Sequence, residues 1–161
     1  MRFPEFLKKN GTIGFVAPSF GCNIEPYKTS FNHALEKFHD MGYQTMLGPN
    51  CFEGSGIGIS NTPEKCAAEL NKMYLSDEAD ALISCGGGEL MCEILDDVDF
   101  DAIKAAKPKW YMGYSDNTNF TFLLTTSAMW HPFMDHVPEH LVWNRGMNQL
   151  KTAFHFLQER N

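Results

Sequence analysis

Ala79-Asp-Ala-Leu-Ile-Ser-Cys-Gly-Gly-Gly-Glu89 is the stretch on which the fold turns. Ala79 to Ser84 is a short, nearly unbroken apolar run that ends in three glycines, Gly86, Gly87 and Gly88. A run of this length bounded by glycine reads as a buried strand rather than a helix. Working back toward the amino terminus, Asn61-Thr-Pro-Glu64 is a helix start. Asn61 or Thr62 caps, Pro63 fits the first turn, and Glu64 reaches back as in a capping box. That helix runs through Ala67, Ala68, Leu70, Met73 and Tyr74. Before it come a glycine-rich loop from Pro49 to Ser60 and a second short strand, Tyr43 to Leu47. A helix from Pro26 to Met41 is closed by Gly42, and the first strand spans Thr12 to Pro18. Toward the carboxyl terminus follow short helical pieces at Glu89–Leu95 and Asp99–Ala106, then a fourth strand, Lys109-Trp-Tyr-Met-Gly113. A helical run from about Asn117 to Ala128 comes after it.

Strands thus alternate with helices, and the strands are apolar on both faces. This predicts an α/β fold: an open, mostly parallel sheet with helices on both faces, a Rossmann-like or flavodoxin-like layer sandwich. In such sheets ligands bind beyond the carboxyl ends of the strands. Two candidate loops lie there. Gly113-Tyr-Ser-Asp116 joins a strand to a helix and lifts the hydroxyl of Ser115 clear of the sheet. The N–H of Asp116 is placed to hold an oxyanion. The pattern lacks the last glycine of Gly-x-Ser-x-Gly, and Ser115 and Asp116 read equally well as helix caps. The second loop, Ser84-Cys-Gly-Gly-Gly-Glu89, exposes successive backbone amides that suit a carboxylate, a phosphate or an oxyanion. Its plainer reading is a tight turn that needs positive φ. Two donors from different segments make an oxyanion hole, and these segments are expected to end neighbouring strands.

Three segments carry a resemblance: Ala81-Leu-Ile-Ser-Cys-Gly-Gly-Gly-Glu89, Ile94-Leu-Asp-Asp-Val-Asp-Phe100, and Pro108-Lys-Trp-Tyr-Met-Gly-Tyr-Ser-Asp-Asn-Thr-Asn119. With Ile13-Gly-Phe-Val-Ala-Pro-Ser19 and Asn61–Asn71, they resemble the amino-terminal domain of the LD-carboxypeptidase family, which includes the muramoyltetrapeptide carboxypeptidases and the microcin C immunity peptidases. The Gly-Gly-Gly-Glu and Asn117-Thr-Asn119 variants look closer to the immunity branch. The match covers about residues 10–127, and residues 128–161 diverge. The resemblance implies a serine nucleophile, Ser115, and an oxyanion hole from the N–H groups of Asp116 and Gly87 or Gly88. Gly86, Gly88 and Glu89 are the expected substrate-binding residues. It also implies cleavage of an amide bond next to a free carboxylate, in a murein L,D-peptide or a peptidyl-nucleotide antibiotic, with no metal and no cofactor. Family members often form homodimers.

In the family, the base is a histidine oriented by a glutamate, and both come from a carboxyl-terminal domain. A serine hydroxyl is a poor nucleophile without such a base. The chain stops at Asn161, near where the first domain should end, so that domain is expected to be missing. The chain alone is therefore expected to hydrolyse little. Two other classes remain: a non-catalytic module that binds a peptide carboxylate, and a general α/β esterase.

The chain has 161 residues, room for one domain and little more. Its net charge of −7 argues against nucleic-acid or anionic-membrane partners. No run approaches the roughly 18 apolar residues of a membrane span, and no signal peptide is expected. The five cysteines contain no Cys-x-x-Cys pair and read as reduced, mostly buried thiols of a cytoplasmic protein. His136-Val-Pro-Glu-His140 matches an inverted zinc-peptidase pattern, but Pro138 breaks the helix that pattern needs. Nothing selects His131, His136 or His140 as a substitute base, and this segment reads as a packed or interface surface. Met147 to Leu157 reads as a final amphipathic helix. Gly54-Ser-Gly-Ile-Gly58 lacks the spacing of a dinucleotide loop.

Overall fold

The computed structural model of the chain describes residues 3–128. The histidine-rich segment and the helix expected at Met147–Leu157 lie outside them. Four parallel strands form one sheet: β1 (Thr12–Val16), β2 (Gln44–Leu47), β3 (Ala81–Ser84) and β4 (Trp110–Met112). Their order is β2-β1-β3-β4. Register is set by Ile13 lying between Thr45 and Ala81, and by Leu82 facing Tyr111. The helices are α1 (Tyr27–Asp40), α2 (Pro63–Leu75), α3 (Phe100–Ala105) and α4 (Thr118–Ala128), with short 3₁₀ turns at Met91–Asp97 and Ser115–Asn117.

Alternation along each strand builds two cores. Ile13, Phe15 and Ala17 of the first strand segment, with Ala81, Ile83, Trp110 and Met112, pack with Phe31 and Phe38 of α1. Val16, Leu82 and Tyr111 point the other way, to Leu70, Met73 and Tyr74 of α2 and to Phe120 and Leu124 of α4. Successive strand side chains face opposite sides, so a run apolar throughout needs cover on both. The helices provide it. Beyond α1, the first core is completed by the amino-terminal segment: Leu7 is buried, Phe6 stacks on Trp110, and Trp110 Nε1 donates to Glu5 O at 2.9 Å. Right-handed crossovers put a helix on one face when the chain moves one way along the sheet and on the other when it reverses. The reversal here falls between β1 and β3, the position at which open α/β sheets bind ligands.

Local details differ from the sequence reading in two places. The first helical piece after the glycine run is a 3₁₀ turn that begins at Met91. At α2 the Thr62 side chain makes no cap bond to the helix, while the Glu64 carboxylate reaches back to Thr62, which holds its pKa below the ordinary value. Asn61 Oδ1 accepts from the Thr62 N–H while its Nδ2 donates to Asn50 Oδ1, so this side chain is turned toward the loop after β2. Elsewhere Gly42 takes φ of 87° after α1, as expected of a closing glycine, and Asp99 caps α3 by accepting from Ala102 N.

Glu69 of α2 is a buried carboxylate that the sequence reading passed over. Its Oε2 accepts from Ala17 N and its Oε1 from Asn50 N, each at 2.8 Å. One side chain thereby ties the ends of β1 and β2 to the helix that leads from β2 to β3. Burial pushes its pKa up, against the pull of the two amides. Replacing Glu69 by Ala leaves both amides without an acceptor. We expect a loss of about 1–3 kcal/mol for each orphaned amide in urea unfolding. Lys65→Ala, at an exposed position of the same helix, should stay within about 0.5 kcal/mol of the parent.

Candidate active site

Two loops at the carboxyl edge of the sheet converge, as expected, from neighbouring strands β3 and β4. The turn after β4 begins with Tyr114 in extended conformation and then places Ser115 at φ of 56°. That left-handed conformation costs a residue with a Cβ about 1–2 kcal/mol. The result is an exposed Ser115 whose hydroxyl makes no hydrogen bond among the described residues. Ser115 is therefore not a helix cap. Neither is Asp116 by its side chain: its Oδ2 accepts from Ser19 Oγ at 2.5 Å and Met91 N at 2.8 Å, and its Oδ1 from Asn119 Nδ2 at 3.0 Å. The carboxylate thus joins the loop after β1, the 3₁₀ turn at Met91 and the start of α4. The Asp116 amide is left with no acceptor among the described residues.

The glycine loop is held from behind through its carbonyls. Gly86 O accepts from Ser84 Oγ at 2.9 Å and from Asn117 Nδ2 at 2.8 Å. Gly87 O accepts from Phe20 N at 2.9 Å. Asn117 is itself fully buried, with Tyr111 donating to its Oδ1 at 2.5 Å and its Nδ2 reaching Tyr114 O at 3.2 Å. With these carbonyls turned inward, the Gly88 amide has no acceptor among the described residues. The Gly87 amide faces the Tyr114 hydroxyl. Burial raises the pKa of that phenol, and the Gly87 amide opposes the rise.

Close packing explains the glycines better than positive φ does. A Cβ at Gly87 would lie 2.9 Å from Ser115 Cβ and 3.3 Å from its Oγ. A Cβ at Gly88 would lie 2.1 Å from Ser19 Oγ. No room is left for a side chain between the Gly87 backbone and Ser115. Gly86 is buried behind the loop, while Glu89 is exposed with its amide bound to Gly58 O at 3.3 Å. Ser19 and Asn117 are the side chains that tie the loops together. Nothing local marks them as the ties between the loops, because their partners lie 97 and 31 residues away.

Other chemistry at the site is limited. Among the described residues, no group of three or more His, Cys, Asp or Glu side chains could hold a metal ion. The described histidines, His33 and His39, are exposed on α1 and make no hydrogen bond to Ser115. All five cysteines are free, and four are buried. No described helix is long and apolar enough to cross a membrane.

Comparison with known proteins gives consistent matches. The family model described as the LD-carboxypeptidase N-terminal domain matches residues 13–134. A probable murein peptide carboxypeptidase of Bacillus subtilis (strain 168) is 30% identical over 122 residues, which are 76% of this chain and 35% of that protein. The chain thus spans about a third of the length of that relative. Among solved structures, the microcin C7 self immunity protein MccF in its wild-type apo state superposes with a TM-score of 0.83 at 19% identity, covering 100% of this chain and 48% of that one. An MccF-like protein from Bacillus anthracis str. Ames gives 0.73 at 21% identity, covering 82% and 40%. At these identities the two structures establish the fold.

If the left-handed φ at Ser115 is strain held for function, glycine should relieve it. Ser115→Gly is expected to stabilise the chain by about 1 kcal/mol and raise the urea midpoint. Ser115→Ala keeps the Cβ and should leave the midpoint unchanged. A midpoint for Ser115→Gly at or below the parent would mean that the turn is not strained.

Proposed function

The chain belongs to the LD-carboxypeptidase family, through its amino-terminal domain, and from that premise we propose that it is the nucleophile-bearing half of a serine carboxypeptidase. The observation that carries this reading is the approach of the Gly87 backbone to an unbonded, exposed Ser115 hydroxyl on a left-handed turn. Ser115 Oγ attacks the carbonyl of an amide bond next to a free carboxylate. The oxygen of the tetrahedral intermediate accepts from the N–H of Asp116 and from the N–H of Gly87, where it takes the place of the Tyr114 hydroxyl. Preorganised amides of this kind contribute by not having to reorient as charge develops. Gly86 sets the loop by its carbonyl, and Gly88 and Glu89 border the bound peptide. Murein L,D-peptides and peptidyl-nucleotide antibiotics are the substrate classes that fit the family.

The proton of Ser115 needs a base, and a histidine oriented by a glutamate supplies it in the family. In this reading both come from a carboxyl-terminal domain, a partner of the described unit, and residues 3–128 alone are a poor catalyst. A protein of this kind works in the cytoplasm, with homodimers as its expected assembly. The competing reading is a non-catalytic module in which the free amides of the glycine loop bind a peptide carboxylate.

A fluorophosphonate separates the two. In the presence of a separately produced carboxyl-terminal domain from a family member, the chain should acquire label at Ser115, and the Ser115→Ala variant none. Gly87→Ala, which pushes a methyl against the serine, should slow labelling about 100-fold. Absence of label with the second domain present, or label that survives Ser115→Ala, favours the binding module. Hydrolysis of an L,D-tetrapeptide by the unaccompanied chain, lost in Ser115→Ala, would place the base within the chain itself.

A further inference from the structure

Three buried thiols meet at one place. Cys22, Cys51 and Cys85 belong to the core on the α1 side of the sheet, while Cys66 lies in the other core. They come from three separate connections: Cys22 follows β1, Cys51 follows β2 and Cys85 follows β3. Backbone bonds fix their spacing. Cys22 N donates to Cys51 O at 2.7 Å, and Cys85 N donates to Val16 O at 2.8 Å. The Cys22 thiol donates to Cys85 O at 3.7 Å. The Cys85 thiol is in hydrogen-bond contact with the sulfurs of both Cys22 and Cys51. The proposed chemistry at Ser115 uses none of them.

The three sulfurs are not equivalent. When Cys22 ionises, the Cys85 thiol donates to its sulfur, which pulls the Cys22 pKa below the ordinary thiol value against the cost of burial. Burial pushes the Cys85 thiol well up, and its sulfur neighbours add to the rise. Cys22 therefore ionises first, and Cys85 keeps its proton. Cys51 Sγ is turned away to Phe15 O at 3.3 Å. Cys66 has Ser60 Oγ beside it at 3.2 Å, and burial raises its pKa. A thiolate is the form that peroxides oxidise, and a second thiol next to it resolves the product.

Access selects the same pair. Cys22 and Cys85 both border the open space between the loops after β1, β3 and β4, and Cys51 is not among its lining residues. Each is only 1% exposed. Entry is thus restricted to a molecule little larger than water, which favours hydrogen peroxide over a bulky disulfide.

We propose that Cys22 and Cys85 are a peroxide-responsive pair that closes to a disulfide and thereby moves the glycine run. The Cys22 thiolate attacks one peroxide oxygen and the O–O bond breaks. The hydroxide released takes up the proton that Cys22 gave up and leaves as water. Cys22 is then a sulfenic acid. Cys85 Sγ attacks that sulfur, the S–O bond breaks, and the Cys85 proton leaves with the hydroxyl as a second water. Two thiols lose two electrons, and one peroxide becomes two waters. A thiol reductant reverses the change.

The new bond forms beside the site. Cys85 directly precedes Gly86, and the loop of Cys22 holds Gly87 O through Phe20 N at 2.9 Å. Sulfurs in hydrogen-bond contact must close to about 2.05 Å. Gly87 is packed so tightly that a Cβ there would lie 2.9 Å from Ser115 Cβ. A shift carried from Cys85 into the glycine run therefore changes how Gly87 meets Ser115, whatever role that serine has.

The test uses the full chain with Cys92→Ala, which removes the exposed thiol. It is treated with hydrogen peroxide, unfolded and alkylated, and its peptides are mapped. Cys22 and Cys85 should be joined, Cys51 and Cys66 should be alkylated, and dithiothreitol should restore every thiol. Oxidised glutathione should react about tenfold more slowly or less. The backbone amide resonances of Gly86 and Gly87 should shift on oxidation and return on reduction. Cys85→Ala should stop at a Cys22 sulfenic acid that dimedone captures, and Cys22→Ala should leave Cys85 reduced. Where either variant fails to fold, the peptide map of the Cys92→Ala protein decides alone. A Cys51–Cys85 link, oxidation confined to Cys66, or no loss of thiols would overturn the pair. A Cys22–Cys85 link that leaves the Gly86 and Gly87 amides unmoved would overturn its action on the site.

Discussion

The carboxamide of Asn117 sits where the two loops of the site have to be held together. Tyr111, at the centre of β4, donates to its oxygen from below. Its nitrogen donates to the carbonyls of Gly86 and Tyr114, one in each loop. All of this lies in a buried environment, where a polar group left without a partner is costly and a satisfied network is rigid. Once these carbonyls are turned inward, the amides of the same loops are left facing out. The outward set of donors follows from the inward set of acceptors. A serine could not replace Asn117, since it lacks the reach and the pair of donors.

A second tie acts on the other side. The Asp116 carboxylate gathers Ser19, Met91 and Asn119, and the Ser19 hydroxyl lies directly under Gly88. The same residue that offers a backbone amide to the site thereby uses its side chain to lock that amide in place. Glu69 does similar work further back, at the ends of β1 and β2. Three polar side chains thus organise the carboxyl edge of the sheet. Strain at Ser115 is tolerated because the neighbours on both sides of it are fixed.

On the proposed reading, this arrangement supplies a nucleophile and its charge-stabilising donors, with no histidine beside them among the described residues. The described residues are complete for orientation and incomplete for activation. That division fits the proposal that a second domain brings the base.

Much of this was legible along the chain. The order of strands and helices, the parallel sheet, and the placing of Gly86–Gly88 and Ser115 at strand ends follow from local signals: apolar runs of strand length, glycines after them, a proline and a capping residue before a helix. These depend on neighbours a few residues apart, so sequence carries them. Whether Ser115 caps a helix or stands free could not be read, because both uses share the same local pattern. Tertiary structure decided it, through a left-handed φ and a hydroxyl with no partner. It also decided why Gly87 must be glycine and which residues tie the loops. Those properties rest on contacts between segments 31 to 97 residues apart, and only the folded sheet brings such segments within hydrogen-bonding distance.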